Sequence, residues 1–168
     1  MRATSFALLP IPENPRWEPI ADDVYLQEVS SRIATKTPLL AVAVLDGTAY
    51  VGDQNGVHRI ENDRLVNAGG PRTEILRLRV LNGALWVIGS EGLWRFANND
   101  WTEIASDVFA DVCLHNGEVI AASEEGVYSF KDGALDLIDG NKPSLPILGV
   151  ASYSETIYVR HADRLGIL

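Results

Sequence analysis

Short apolar runs alternate with polar turns along most of this chain, and the alternation repeats. The clearest copy is G-A-L-W-V-I-G-S-E-G-L-W-R-F at 83–96, with an apolar strand at 85–88, a polar turn closed by Gly92 and a second strand at 93–96. Residues 47–60 (G-T-A-Y-V-G-D-Q-N-G-V-H-R-I) and 117–130 (G-E-V-I-A-A-S-E-E-G-V-Y-S-F) align with it without a gap. A weaker fourth copy covers 155–168, where Arg164 replaces the turn glycine. The copies begin at Gly47, Gly83, Gly117 and Glu155, a period of 34–38 residues.

An apolar run precedes each copy, at 39–45, 75–81, 108–114 and 147–153, and predicts a strand a. Strands b and c follow within the copy, and a shorter, more polar strand d is predicted at 64–67, 101–105 and 134–138. The a–b turns Asp46-Gly47, Asn82-Gly83 and His115-Asn116-Gly117 carry residues that tolerate positive φ and suit tight hairpins. The c–d turns Asn98-Asn99-Asp100 and Lys131-Asp132-Gly133 do the same. Gly56, Gly92 and Gly126 are expected to hold backbone conformations closed to other residues. No segment has sustained helical periodicity with caps, so the fold class is all-β. Several strands per period of this size predict a β-propeller.

The units run over 39–67, 75–105, 108–138 and 147–168 in one domain of 168 residues. Arg16-Trp17-Glu18-Pro19-Ile20 resembles the strand-d stretch Asp100-Trp101-Thr102-Glu103-Ile104, so 16–20 is expected to complete the last unit by pairing with 165–168. Two architectures stay open: a closed four-bladed ring, or part of a larger propeller. Residues 22–38 are the least repeat-like and form an insertion, either a plug over the channel or a binding loop.

Charge narrows the partners. A net charge of −9 argues against nonspecific binding to nucleic acid or anionic membrane, which needs clustered Lys and Arg. Residues 1–15 show no apolar core of signal-peptide length, so the sequence as given reads as cytoplasmic. The single cysteine, Cys113, sits on a predicted strand a and reads as a buried inert thiol.

In a propeller the b–c and d–a loops share one face. Asp53, Glu91, Glu124 and Asp163 fall on the b–c loops, and Arg72 and Asp107 on the d–a loops. Either these polar loops are merely solvated, or their carboxylates converge on a cation or a cationic ligand. No Asp-rich calcium spacing supports a metal. Arg77 and Asp111 occupy equivalent positions on strand a, where charges need partners if buried. They either pair with each other or line the channel and meet an anionic ligand. Trp86, Trp94, Trp101 and Tyr128 read as packing residues between units before they read as sugar platforms. His58, His115 and His161 lack ligand spacing, and no phosphate loop or catalytic motif is present.

The stretch Leu85-Trp86-Val87-Ile88-Gly89-Ser90-Glu91-Gly92-Leu93-Trp94-Arg95-Phe96 resembles the two-component regulator propeller repeat. The core of that repeat runs roughly Leu-Trp-Ile-Gly-Thr, two variable residues, Gly-Leu and an aromatic-rich strand. Ser90 stands where the family has threonine, and Ile88 is a one-residue insertion. The resemblance covers about 39–139. It implies a ligand-sensing or interaction domain, often within long chains of more than four blades. The expected function is a non-catalytic binding or sensing module without a cofactor, whose ligand is a small molecule or glycan. The alternatives are a protein–protein scaffold, including self-association that completes the ring, and a fragment of a glycan-active propeller enzyme.

Overall fold

In the computed structural model, which describes residues 33–140 and 146–168, the four repeats become four antiparallel sheets. Sheet 1 holds β1 (Ala41–Leu45), β2 (Thr48–Asp53), β3 (Gly56–Glu61) and β4 (Arg64–Asn67). Sheet 2 holds β5 (Ile75–Leu81), β6 (Ala84–Gly89), β7 (Gly92–Ala97) and β8 (Asp100–Ala105). Sheet 3 holds β9 (Phe109–His115), β10 (Glu118–Ser123), β11 (Gly126–Lys131) and β12 (Ala134–Gly140). Sheet 4 holds β13 (Gly149–Tyr153), β14 (Thr156–Arg160) and β15 (Leu165–Ile167). Each sheet is a simple meander in chain order. The expected strand at 16–20, and its pairing with 165–168, lie outside the described residues.

The hairpins follow from their turn residues. Asp46 and Gly47, Asn82 and Gly83, and Asn116 and Gly117 all have positive φ. Two consecutive positive-φ residues make the type I′ turn, whose twist matches that of the strands it joins. The b–c turns differ from expectation. Gly56 does have φ +135, but Gly92 and Gly126 are glycine because strand d passes too close. A Cβ there would meet the Ala105 carbonyl oxygen at 2.6 Å and the Asp139 carbonyl oxygen at 2.4 Å. The cause is packing rather than a forbidden dihedral.

Strand b is the most buried of each unit; all six residues of β6 are buried. Successive side chains point to opposite faces of a sheet, and in β6 and β10 both faces are covered by neighbouring sheets. Tyr50 and Val57 of sheet 1 pack with Leu85 and Val87 of sheet 2. Trp86 and Ile88 then pack with Val119 and Ala121 of sheet 3, and Ile120 and Ala122 with Ile157 and Val159 of sheet 4. That double burial explains why strand b is continuously apolar instead of alternating. Trp86 meets Phe130 edge-on at 5.0 Å, and Trp94 and Trp101 fill the first seam.

The inner strands run side by side, β1 against β5, β5 against β9 and β9 against β13. Polar rungs join the a–b turns of neighbouring sheets. Asn82 Nδ2 donates to the Gly117 carbonyl at 2.7 Å, and Asn116 Nδ2 donates to Glu155 Oε2 at 3.1 Å. Among the described residues, no comparable contact joins sheet 4 to sheet 1.

Candidate ligand-binding groove

The b–c and d–a segments meet at one end of the sheets, as the meander requires. Backbone hydrogen bonds tie them there: Leu40 N–H to the Gly52 carbonyl at 2.8 Å, Ser90 N–H to that of Glu74 at 2.9 Å, and Leu148 N–H to that of Arg160 at 2.7 Å. The polar residues expected at this end are not alike. Arg72, Glu91, Asp107, Glu124 and Asp163 are exposed, and Asp163 lies 3.5 Å from its neighbour Arg164. Among the described residues, no three His, Cys, Asp or Glu side chains converge in a way that would hold a metal ion.

Asp53 ends β2 and is buried. Its Oδ2 accepts from Thr37 Oγ1 at 2.6 Å, its Oδ1 accepts from the Asn55 N–H at 2.7 Å, and His58 Nε2 lies 3.2 Å from Oδ1. Burial by itself would raise the carboxyl's pKa. The donors from Thr37 and Asn55, with His58 beside them, outweigh burial and hold it below its ordinary value.

The second polar group lies on the inner strands. Bulges interrupt the a–b ladders of sheets 2 and 3, between Ile75 and Arg77 and beside Phe109 and Asp111. A bulge leaves one residue unpaired and re-aims its neighbours. Ala110 is that residue in β9, and its carbonyl accepts from Arg77 Nε at 3.0 Å. Asp111 is buried and accepts from the Val112 N–H at 3.0 Å. Arg79 approaches it with Nε at 3.3 Å and Nη2 at 3.4 Å, and Arg77 Nη1 lies 3.8 Å away. These distances exceed the roughly 2.7–2.9 Å of a tight charge-assisted bond. Asp111 also acts on its neighbour: burial first, and then the Asp111 charge, push the Cys113 thiol up to about 11.

Beside this group an open groove of about 310 Å³ is lined by Arg77, Asp111, Gly149, Tyr158, Arg160 and Leu165, among others. Gly149 lies at the repeat position of Arg77 and Asp111. A Cβ on it would stand 3.6 Å from Arg160 Nε and 3.7 Å from Asp111 Oδ2, so the missing side chain keeps the space open. Arg160 Nη2 donates to the Leu148 carbonyl at 3.0 Å, which fixes its guanidinium along the groove.

Of the residues singled out from sequence, Arg77 and Asp111 are therefore brought together, and the b–c carboxylates are not gathered into one cluster. Sequence reasoning marked Arg79 as a strand-a charge needing a partner but not that its partner is Asp111, and it missed Arg160 and Tyr158. A signal for Arg160 was available, since its repeat position is Gly52, Ile88 or Ala122 in the other units.

No family model and no curated protein sequence matches the chain. Solved structures do. The computationally designed protein Ika4 has TM-score 0.64 at 9% identity, over 82% of this chain and 94% of that one. The WD40 β-propeller domain of Doa1 has TM-score 0.62 at 17% identity, over 80% of this chain and 51% of that one. The extracellular domain of BT4673 from B. thetaiotaomicron, described both as a one-component and as a hybrid two-component system, has TM-score 0.67 at 12% identity, over 80% of this chain and 22% of that one. The four sheets are propeller blades. The chain thus spans about half of the Doa1 domain and about a fifth of the BT4673 chain. Its likeness to that two-component-system extracellular domain is one of structure. In blade terms, the groove lies on the inner strands of blades 2–4 and opens onto the outward face of blade 4.

Proposed function

We propose that this propeller is a non-catalytic ligand-binding module and that its ligand is a small anion held in the groove beside Asp111. The observation that carries this reading is the charge balance at the groove. Arg77 and Arg160 line the groove with a single carboxylate, Asp111, which Arg79 also approaches, in a chain whose net charge is −9. Arginine presents a planar fork of donors that suits carboxylate and phosphate. The groove volume falls at the lower end of the range, about 300–1,000 Å³, common for small-molecule sites. Tyr158 and Leu165 add an apolar wall, which suits an organic anion better than a bare inorganic one.

Calorimetry with phosphate, sulfate, aliphatic mono- and dicarboxylates and sugar acids tests the proposal. At least one organic anion is expected to bind, with affinity falling as salt rises. Arg77→Gln and Arg160→Gln should each weaken it by about tenfold or more, the value of a charged hydrogen bond. The proposal fails if every anion in the panel is inert, or if the double variant binds as the parent does.

A further inference from the structure

The two oxygens of Asp111 have different surroundings. Oδ1 accepts from the Val112 N–H at 3.0 Å and from Arg79 Nε at 3.3 Å. Oδ2 has only long contacts, with Arg79 Nη2 at 3.4 Å and Arg77 Nη1 at 3.8 Å. A carboxylate oxygen has room for about two donors, so Oδ2 keeps unspent acceptor capacity. It borders the space above Gly149, where a Cβ would lie 3.7 Å from Oδ2 and 3.6 Å from Arg160 Nε. One point in the groove therefore has an acceptor on one side and a cationic donor on the other. Among the described residues no ion pair joins Arg160 to Asp111, and the Arg160 guanidinium is held by the Leu148 carbonyl instead.

We infer, building on the anion-binding reading of this groove, that its ligand is an α-hydroxy acid, whose carboxylate meets Arg160 and whose hydroxyl, on the adjacent carbon, donates to Asp111 Oδ2. Distance sets the spacing. Oδ2 and Arg160 Nε are no farther apart than their two distances to that point allow. Two hydrogen bonds of about 2.8 Å each take up most of the gap, so the ligand's donor and acceptor must sit on neighbouring carbons. Charge sets the donor. Guanidiniums at 3.3 and 3.8 Å already offset the charge of Asp111, and what is left is lone-pair capacity. An ammonium in this place would be repelled by Arg77 and Arg79, whereas a hydroxyl is neutral. The remainder of the ligand lies along Tyr158 and Leu165. Gly149 sets the specificity, because its missing side chain is the room that the hydroxyl takes.

Calorimetry on the full chain compares mandelate with phenylacetate and phenylglycine, and lactate with propionate and alanine, using both enantiomers of each chiral acid. Within each set only the substituent beside the carboxylate changes. The hydroxy acid is expected to bind about tenfold or more tighter than the plain acid, the value of a hydrogen bond to a charged group. The amino acid should bind more weakly than the hydroxy acid. In Asp111→Ala the preference for the hydroxy acid should vanish while the plain acids still bind. Gly149 does not have a positive φ, so Gly149→Ala adds a methyl group without backbone strain, and it should lower the same preference without altering any charge. Each readout is a ratio within one protein, which a general loss of stability does not imitate. Plain acids that bind as well as the hydroxy acids, amino acids that bind tightest, or a preference unchanged in both variants would overturn the hydroxyl assignment and leave the anion reading standing. If neither plain nor hydroxy acids bind, the anion reading itself falls, and the α-hydroxy acid with it.

Discussion

Asp53 and Asp111 are both buried carboxylates near the same end of the blades, 3% and 8% exposed. Asp53 is enclosed by groups of its own blade and the segment leading into it: a hydroxyl, a backbone N–H and an imidazole. Asp111 is approached from the neighbouring blade by two arginines whose side chains remain about two-fifths exposed. The first arrangement holds the acid locally, with the Thr37 hydroxyl and the Asn55 N–H spent on it. The second crosses a seam and leaves cationic donors facing a groove. Burial alone therefore does not mark a binding site; unspent donors around the buried group do.

The largest effect should come from Asp53→Ala. It removes the acceptor of two part-buried donors, the Thr37 hydroxyl and the Asn55 N–H, each worth about 0.5–1.5 kcal/mol. Urea unfolding measures it; a change below about 0.5 kcal/mol would mean that the Asp53 niche contributes no more than ordinary surface polarity.

Acid comes next. The native Asp53 carboxyl has a lowered pKa, so its stabilisation is complete above the ordinary value of 3.8 and is lost as pH falls through the lower native value. Stability should drop across that acidic window in the parent chain, and the part due to Asp53 should vanish in Asp53→Asn. Equal slopes in the two proteins would contradict the niche.

Asp111→Asn should cost about 1 kcal/mol or less, because half-exposed arginines relax into water when their partner is neutralised. The same change frees Arg77 and Arg79, so any anion that binds should bind several-fold tighter. Weaker binding would mean that Asp111 orders the arginines more than it occupies them.

The smallest effect is on Cys113. With its thiol raised from 9.0 to about 11, the thiolate at pH 8 is scarcer by roughly a hundredfold, and alkylation should be correspondingly slow. Asp111→Asn should quicken it modestly, since burial remains the main cause. A rate like that of a free thiol would place the sulfur in water.

Much of the fold was legible because its determinants are local. Asn82-Gly83 and Asp46-Gly47 dictate their hairpins without reference to the rest of the chain. The continuous apolar run Leu85 to Ile88 announces burial on both faces. The glycine at position 92 was legible as necessary, but its reason was not, because the approach of the Ala105 carbonyl is a fact of strand d. The site was less readable for the same cause. Arg79 reaches Asp111 across 32 residues of sequence, and Arg77 finds the Ala110 carbonyl only because a bulge frees it. Asp53 looked like a loop acid until Thr37 and His58 were seen to enclose it.

The turn asparagines carry a consequence for the chemical lifetime of the chain. Asn82 and Asn116 each precede glycine, whose unhindered amide favours cyclisation and deamidation, and each also supplies the donor of an inter-blade rung. Converting Asn82 to aspartate would set a carboxylate against the Gly117 carbonyl, and converting Asn116 would set one against Glu155. Ageing would thus replace attraction with repulsion at the second and third seams, so storage should loosen the propeller from its turns inward before any core residue changes.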